Sequence, residues 1–319
     1  MQNTRSRFLE FLSKYKDKKL VIATHRKADV DSLVSAYALS RVLPKSVIAV
    51  PDELDEGAKK IAAKLDIKTK IISRLDKSEF EGMVVVDTSA YSMLKDAKDW
   101  KLLLVIDHHE KEGTDMKAEY MIIEPSTPSA SEIVADLLGD DKIDKKLAFA
   151  FSAAIISDTA RFKSSSAETF EVLGKLMKKC GVPYAELLEY GEPELSSTAK
   201  VAVMKALQRT EFVWHADYVI ATSETGSNES DAASLIANIA DAAFVASWKN
   251  REKETRISSR ASKKLPVGLN EVMKEVGESF GGKGGGHRKA AGAVAKEHPE
   301  AVLKKCVDVL IRKLEEMRT

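Results

Sequence analysis

The sequence predicts an α/β chain, with an N-terminal, mostly parallel sheet flanked by helices and a smaller C-terminal α+β domain. Across the first half, short apolar runs alternate with helical patterns, the order that builds a parallel sheet covered by helices. The run from Leu102 to Ile106 is apolar without alternation, as expected of a strand covered on both faces. Beyond residue 210 the strand-like runs come in pairs joined by short turns, with helices between them, which suits an antiparallel unit.

In chain order, strands are expected at 20–24, 46–50, 70–73, 83–87, 102–107 and 120–124, with helices at 30–43 and 56–65. After Pro125 the pattern turns helical, at 129–138, 145–157 and 167–180. Gly181-Val182-Pro183 and Gly191-Glu192-Pro193 are breaks. A helix over 195–210 reads as a semi-rigid connector. A hairpin follows at 211–215 and 218–223, turned at Ala216-Asp217, and a second pair at 244–248 and 255–259. Helices are expected at 230–239, 270–280 and 299–317. Trp214 and His215 read as packing and turn residues, and His298 as a helix-entry residue. The division is thus a first domain over 1–190, a connector over 191–210 and a second domain over 211–319, without internal repeats.

A chain of 319 residues with 44% hydrophobic content can bury two cores. Its 50 basic residues offset 49 acids to give a net charge of +1. Proteins that track long nucleic acid carry a clear basic excess, so that class is disfavoured. Two cysteines in no metal-ligand spacing suit a reducing compartment. The charged N-terminus lacks a secretory signal, and no run approaches the roughly 18 apolar residues of a membrane span. A cytoplasmic location without membrane contact is expected, and a homodimer is left open.

Four clusters carry chemistry. They are His25, Asp29 and Asp31 after the first strand; Asp87 after a strand; Asp107-His108-His109 after another; and Asp158 at the end of an apolar helix. In open α/β sheets, ligands gather at the carboxyl ends of strands, where the first three would project. Taken singly, each residue has a plainer role: Asp31 or Ser32 as a helix cap, Asp87 as a loop acid, Asp158 as a helix terminator. Taken together, carboxylates and imidazoles at one edge would repel or stay unpaired unless a cation gathered them. Mixed oxygen and nitrogen donors suit Mn²⁺, and Mg²⁺ or Co²⁺ fit the same set.

The HxxxDxD, D, DHH and D clusters resemble the DHH phosphoesterases. The run Gly284-Gly285-Gly286-His287-Arg288-Lys289-Ala290-Ala291-Gly292 is similar to the glycine-rich signature of their DHHA1 domain. The resemblance covers nearly the whole chain and points to the compact nanoRNase/pAp-phosphatase subgroup. It implies two metal ions: His25 and Asp29 hold one, Asp31, His108 and Asp158 the other, and Asp87 bridges both. It also implies that Asp107 orients the neighbouring histidine and that His109 faces the scissile phosphate. The family's first motif usually has Pro before the first Asp and Gly between the two. Ala28 and Val30 stand there instead, so a changed loop geometry is expected.

By the same resemblance the second domain chooses the substrate. Gly284, Gly285 and Gly286 are expected to form an anion nest, helped by His287 and Arg288, with Arg260 on a strand contacting substrate. A glycine hinge and a solvated edge strand are the plainer alternatives. The implied activity is hydrolysis of short RNA or DNA oligonucleotides, dinucleotides or pAp by direct attack of water. Cyclic di-AMP hydrolysis, pyrophosphate or polyphosphate hydrolysis, and nucleotide binding without catalysis are the alternatives.

Overall fold

The computed structural model describes residues 2–109, 113–159, 162, 164–191 and 195–317, and the chain divides into two compact units, 1–194 and 195–319. Among the described residues no helix is long and apolar enough to cross a membrane. Glu192 and Pro193 of the second expected break lie outside the described residues.

The first unit runs α1 (Gln2–Tyr15), β1 (Leu20–Ala23), α2 (Val30–Ser40), β2 (Ser46–Val50), α3 (Glu56–Leu65) and β3 (Thr69–Ile71). It continues with β4 (Gly82–Val86), β5 (Leu102–Asp107), β6 (Tyr120–Ile123), α4 (Ala130–Leu138), α5 (Lys145–Asp158), α6 (Ala167–Cys180) and α7 (Tyr184–Gly191). Its sheet has the order β3-β2-β1-β4-β5-β6, with every pair parallel.

Side chains alternate between two cores, as the pleat requires. Ile22, Val84, Val86, Leu104 and Ile106 join the helical layer, while Val21, Ala23, Met83, Val85 and Val105 meet Ile72, Leu94, Trp100 and Met116 on the other face. Ten consecutive residues of α5, Leu147 to Ile156, are buried, which makes it the centre of the helical layer. Side-chain caps set the helix starts: Asp29 for α2, Asp55 for α3, Ser129 for α4 and Asp144 for α5. Asp29, not Asp31 or Ser32, is therefore the cap of α2. Helix α7 went unread because Pro183 and the flanking glycines look like a loop, although Pro is welcome where a helix begins.

The second unit runs α8 (Ser197–Gln208), β7 (Glu211–His215), β8 (Tyr218–Glu224), α9 (Glu229–Ile236), β9 (Ala242–Lys249) and β10 (Glu254–Ala261). After these come α10 (Leu269–Ser279), β11 (Lys283–His287), β12 (Ala290–Ala295) and α11 (Pro299–Glu316). Helix α8, expected as a connector, belongs to this unit: its Val203 and Ala206 share a core with α9, β8 and β9. The sheet order is β11-β12-β10-β9-β8-β7.

Three expectations are corrected here. The sheet is mixed, because β8 and β9 pair parallel, with α9 as the crossover that parallel strands need. The glycine run is a strand, β11, paired antiparallel to β12, in place of the expected nest or hinge. Its glycines answer to packing. A Cβ on Gly284 would sit 1.9 Å from the Met273 carbonyl oxygen of α10, and Gly286 has φ +134°. Trp214 is 75% exposed, so it is not a packing residue, whereas His298 does stand at the entry to α11.

Candidate metal centre

From β1 the chain runs outward to β2 and β3, then returns to β4 on the other side of β1. The strand order reverses between β1 and β4, and such a switch point opens a crevice at the carboxyl ends. His25 lies just beyond β1, Asp87 directly after β4, and Asp107 ends β5 ahead of His108 and His109. Asp29 and Asp31 open α2, and Asp158 closes α5.

These elements bring the predicted residues together. His25 Nε2 is 3.2 Å from Asp87 Oδ2 and 3.9 Å from Asp29 Oδ1. His108 Nε2 is 3.2 Å from Asp87 Oδ1 and 3.3 Å from Asp158 Oδ2. Among the described residues, three groups have donor atoms within 4.8 Å of one another: His25, Asp29 and Asp87; Asp31, His108 and Asp158; and Asp87, His108 and His109. Asp87 is common to two of them. Its backbone is left-handed (φ +63°), a turn that Asp tolerates better than most residues, while its N–H still donates to the Ile106 carbonyl at 2.8 Å.

The donor set fits a divalent cation. Asp87 and Asp31 are buried carboxylates, and Asp87 Oδ1 has no aligned hydrogen-bond donor. The Nδ1 of His25 lies 2.9 Å from the Arg26 carbonyl, so a neutral ring would turn the Nε2 lone pair toward Asp87. Without an ion, only a protonated ring satisfies that contact. Burial opposes the imidazolium of His25, but the bond to Asp87 and the charges of Asp87 and Asp29 outweigh it and raise its pKa to about 9. Burial pushes Asp158 up to about 7, and the neighbouring Asp87 and Asp29 push the same way. Burial and the nearby Asp87 and Asp158 hold Asp31 well above the usual carboxylate range. Like charges packed this densely call for a cation.

Asp107 is buried, and its Oδ1 accepts from the backbone N–H of His108 at 2.9 Å and of His109 at 3.2 Å. The same oxygen lies 2.8 Å from His109 Nδ1, which raises the His109 pKa above its ordinary value. Asp107 thus anchors both the turn and the His109 ring. His109 is the open member of the set, its side chain 58% exposed.

Two supports escaped the sequence. Asp31 is held by the start of α4, where Ala130 N–H donates to Oδ2 at 2.7 Å and Ser131 N–H to Oδ1 at 2.9 Å. Nothing in the local pattern around these residues links them to residue 31. The His25 loop is pinned by Arg26 N–H on the Met93 carbonyl and Lys27 N–H on Asp52 Oδ1. Ala28 and Val30, which depart from the family's usual motif, are both buried beneath it.

In the second unit Arg260 is half-buried on β10. Its guanidinium donates to Ser230 Oγ at 2.7 Å and to the Ser259 carbonyl at 2.9 Å, and burial lowers its pKa. His287 ends β11 and is exposed, and Arg288 donates to the Pro266 carbonyl at 2.8 Å. Gly285 is the one residue of the triplet with open space where a Cβ would stand.

The chain is similar to several known proteins. An uncharacterized protein of Methanocaldococcus jannaschii is 28% identical over 97% of this chain and 98% of its own length. A probable manganese-dependent inorganic pyrophosphatase of Streptococcus equi is 25% identical over 58% of this chain and 62% of its own. The crystal structure of an exopolyphosphatase-related protein from Bacteroides fragilis superposes with a TM-score of 0.78 at 18% identity, covering 99% of this chain and 98% of that one. Residues 19–155 match the DHH family N-terminal domain and residues 216–316 the DHHA1 domain, so the chain belongs to the DHH/DHHA1 family.

Proposed function

We propose that this chain is a manganese-dependent phosphoesterase that uses two metal ions to hydrolyse short oligoribonucleotides, dinucleotides or pAp. The observation that carries the proposal is Asp87, whose two oxygens face His25 on one side and His108 on the other. A carboxylate so placed suits a bridge between two ions, with His25 and Asp29 completing one set and Asp31, His108 and Asp158 the other. The chemistry such ions supply is polarisation of phosphoryl oxygens and acidification of the attacking water.

The chain's own residues do the rest. Asp107 fixes the His109 ring, and the raised pKa of that ring keeps a proton ready for the leaving oxygen of the scissile phosphate. The α4 N-terminus holds Asp31 in place. Arg260, the open Gly285, His287 and Arg288 are assigned to substrate, the guanidiniums as phosphate partners.

The testing experiment is hydrolysis of pAp, a dinucleotide, a five-mer RNA, cyclic di-AMP and pyrophosphate, with Mn²⁺ and with chelator. Turnover of the nucleotide substrates that disappears with chelator and in Asp87→Ala supports the proposal. Turnover of pyrophosphate alone would favour a second reading, to which the likeness to a probable manganese-dependent pyrophosphatase lends support.

A further inference from the structure

Strand β7 ends the sheet of the second unit, and among the described residues no strand pairs with its outer side. Edge strands in soluble proteins are usually guarded by lysine, proline, a bulge or a covering element. Here the sequence is Glu-Phe-Val-Trp-His, and Phe212, Val213 and Trp214 are 70%, 43% and 75% exposed. Three adjacent exposed apolar side chains on an open edge point to a partner.

The backbone shows which groups face outward. Val219, opposite Trp214, gives its N–H to Asp241 Oδ2 and its carbonyl to Asp241 N–H, so it turns away from β7. Trp214, and Phe212 two residues before it, therefore direct their own N–H and C=O to the open side. The side chains of Phe212 and Trp214 stand on the same face as Ala221 and Val219, their cross-strand partners.

We infer that β7 is a self-association edge, at which two copies of this chain pair antiparallel about a twofold axis at Val213. The strand is complementary to itself in that register. Phe212 of each copy faces Trp214 of the other in a doubly hydrogen-bonded pair, and Val213 faces its own equivalent. Glu211 of each copy faces His215 of the other, which sets acid against base at both ends. His215 also lies 3.7 Å from Glu315 of its own chain. Aromatic pairs and opposite charges directly across a ladder are the contacts that stabilise strand pairing, and a twofold axis closes the assembly at two copies.

The test combines mass with register. The wild-type chain in sedimentation should show twice its 35.0 kDa mass, and the double variant Phe212→Lys with Trp214→Lys should show the single mass with its circular dichroism retained. Across the axis two Val213 Cα atoms would be about 4.5 Å apart, within disulfide reach. Val213→Cys should therefore cross-link to a reducible dimer on mild oxidation. Phe212→Cys and Trp214→Cys should each fail alone and cross-link when mixed. Native Cys180 and Cys306, half-buried and buried, give the background in the wild-type chain. A wild-type chain that stays monomeric across concentration, a dimer that survives the double lysine variant, or a Val213→Cys chain that does not cross-link would each overturn the inference.

Discussion

His25 Nε2 stands 3.2 Å from Asp87 Oδ2, although the two residues are 62 positions apart and leave different strands. The contact exists because β1 and β4 are sheet neighbours, joined in parallel from Leu20↔Gly82 to Ala23↔Val85. Each strand delivers its following residue to the same crevice.

Asp87→Ala should remove metal-dependent turnover, with a loss well beyond about a hundredfold, the upper range for groups that only support a ligand. Calorimetric titration with Mn²⁺ should show binding weakened at both ion positions, since the residue faces both donor sets. Loss at one position only would contradict the bridging role.

Asp107→Asn should act through His109 and its turn. Activity is expected to fall by about 10–100-fold, and the acidic-to-neutral profile of kcat should move down with the His109 pKa, which the bond to Asp107 raises. An unchanged pH profile would assign Asp107 to structure alone.

Asp158→Asn separates stability from function. The folded pKa of Asp158 is raised from 3.8 to about 7, so the metal-free fold loses stability as pH climbs between those values. In chelator at pH 8 the variant should melt about 3 °C higher than wild type, while the rise that Mn²⁺ gives the wild-type protein should shrink. Scanning fluorimetry with and without Mn²⁺ reads both effects.

Glu132 is buried on α4, and burial raises its pKa from 4.5 to about 7, with Oε1 lacking a partner. Between those pH values the native carboxyl keeps a proton that the unfolded chain releases, so stability falls as pH rises through the window. Glu132→Gln should stabilise the fold by about 2 kcal/mol at pH 8 and change little at pH 4. Denaturant midpoints at the two pH values check this; an equal shift at both would rule out titration as the cause.

Arg260→Ala should raise KM for nucleotide substrates by about tenfold, the worth of one charge-assisted hydrogen bond, with kcat nearly kept. Arg260→Lys should recover only part of the loss, because a lysine cannot make the two-nitrogen contact with Ser230 and Ser259 while reaching a phosphate. Steady-state kinetics on a dinucleotide gives the split.

Residues 102–107 were legible as a strand because an uninterrupted apolar run admits few other structures, and the strand boundaries match. Alternating order made the parallel sheet legible in the same way. The pairing of β8 with β9 was not, since periodicity reports which face a residue takes and not the direction of its neighbour. Strand β11 was hidden by glycine, which carries no facing preference at all; its place is set by the close approach of α10 at Met273.

The sequence by itself determined the chemistry: which carboxylates and imidazoles the chain owns, and that they follow strands and helix ends where side chains are free of the core. The tertiary structure alone decided how they divide. That Asp87 is shared and that the α4 N-terminus holds Asp31 depend on strand order and helix placement over separations of up to 100 residues. Contacts of that range arise from packing two cores on one sheet, and no local pattern encodes them.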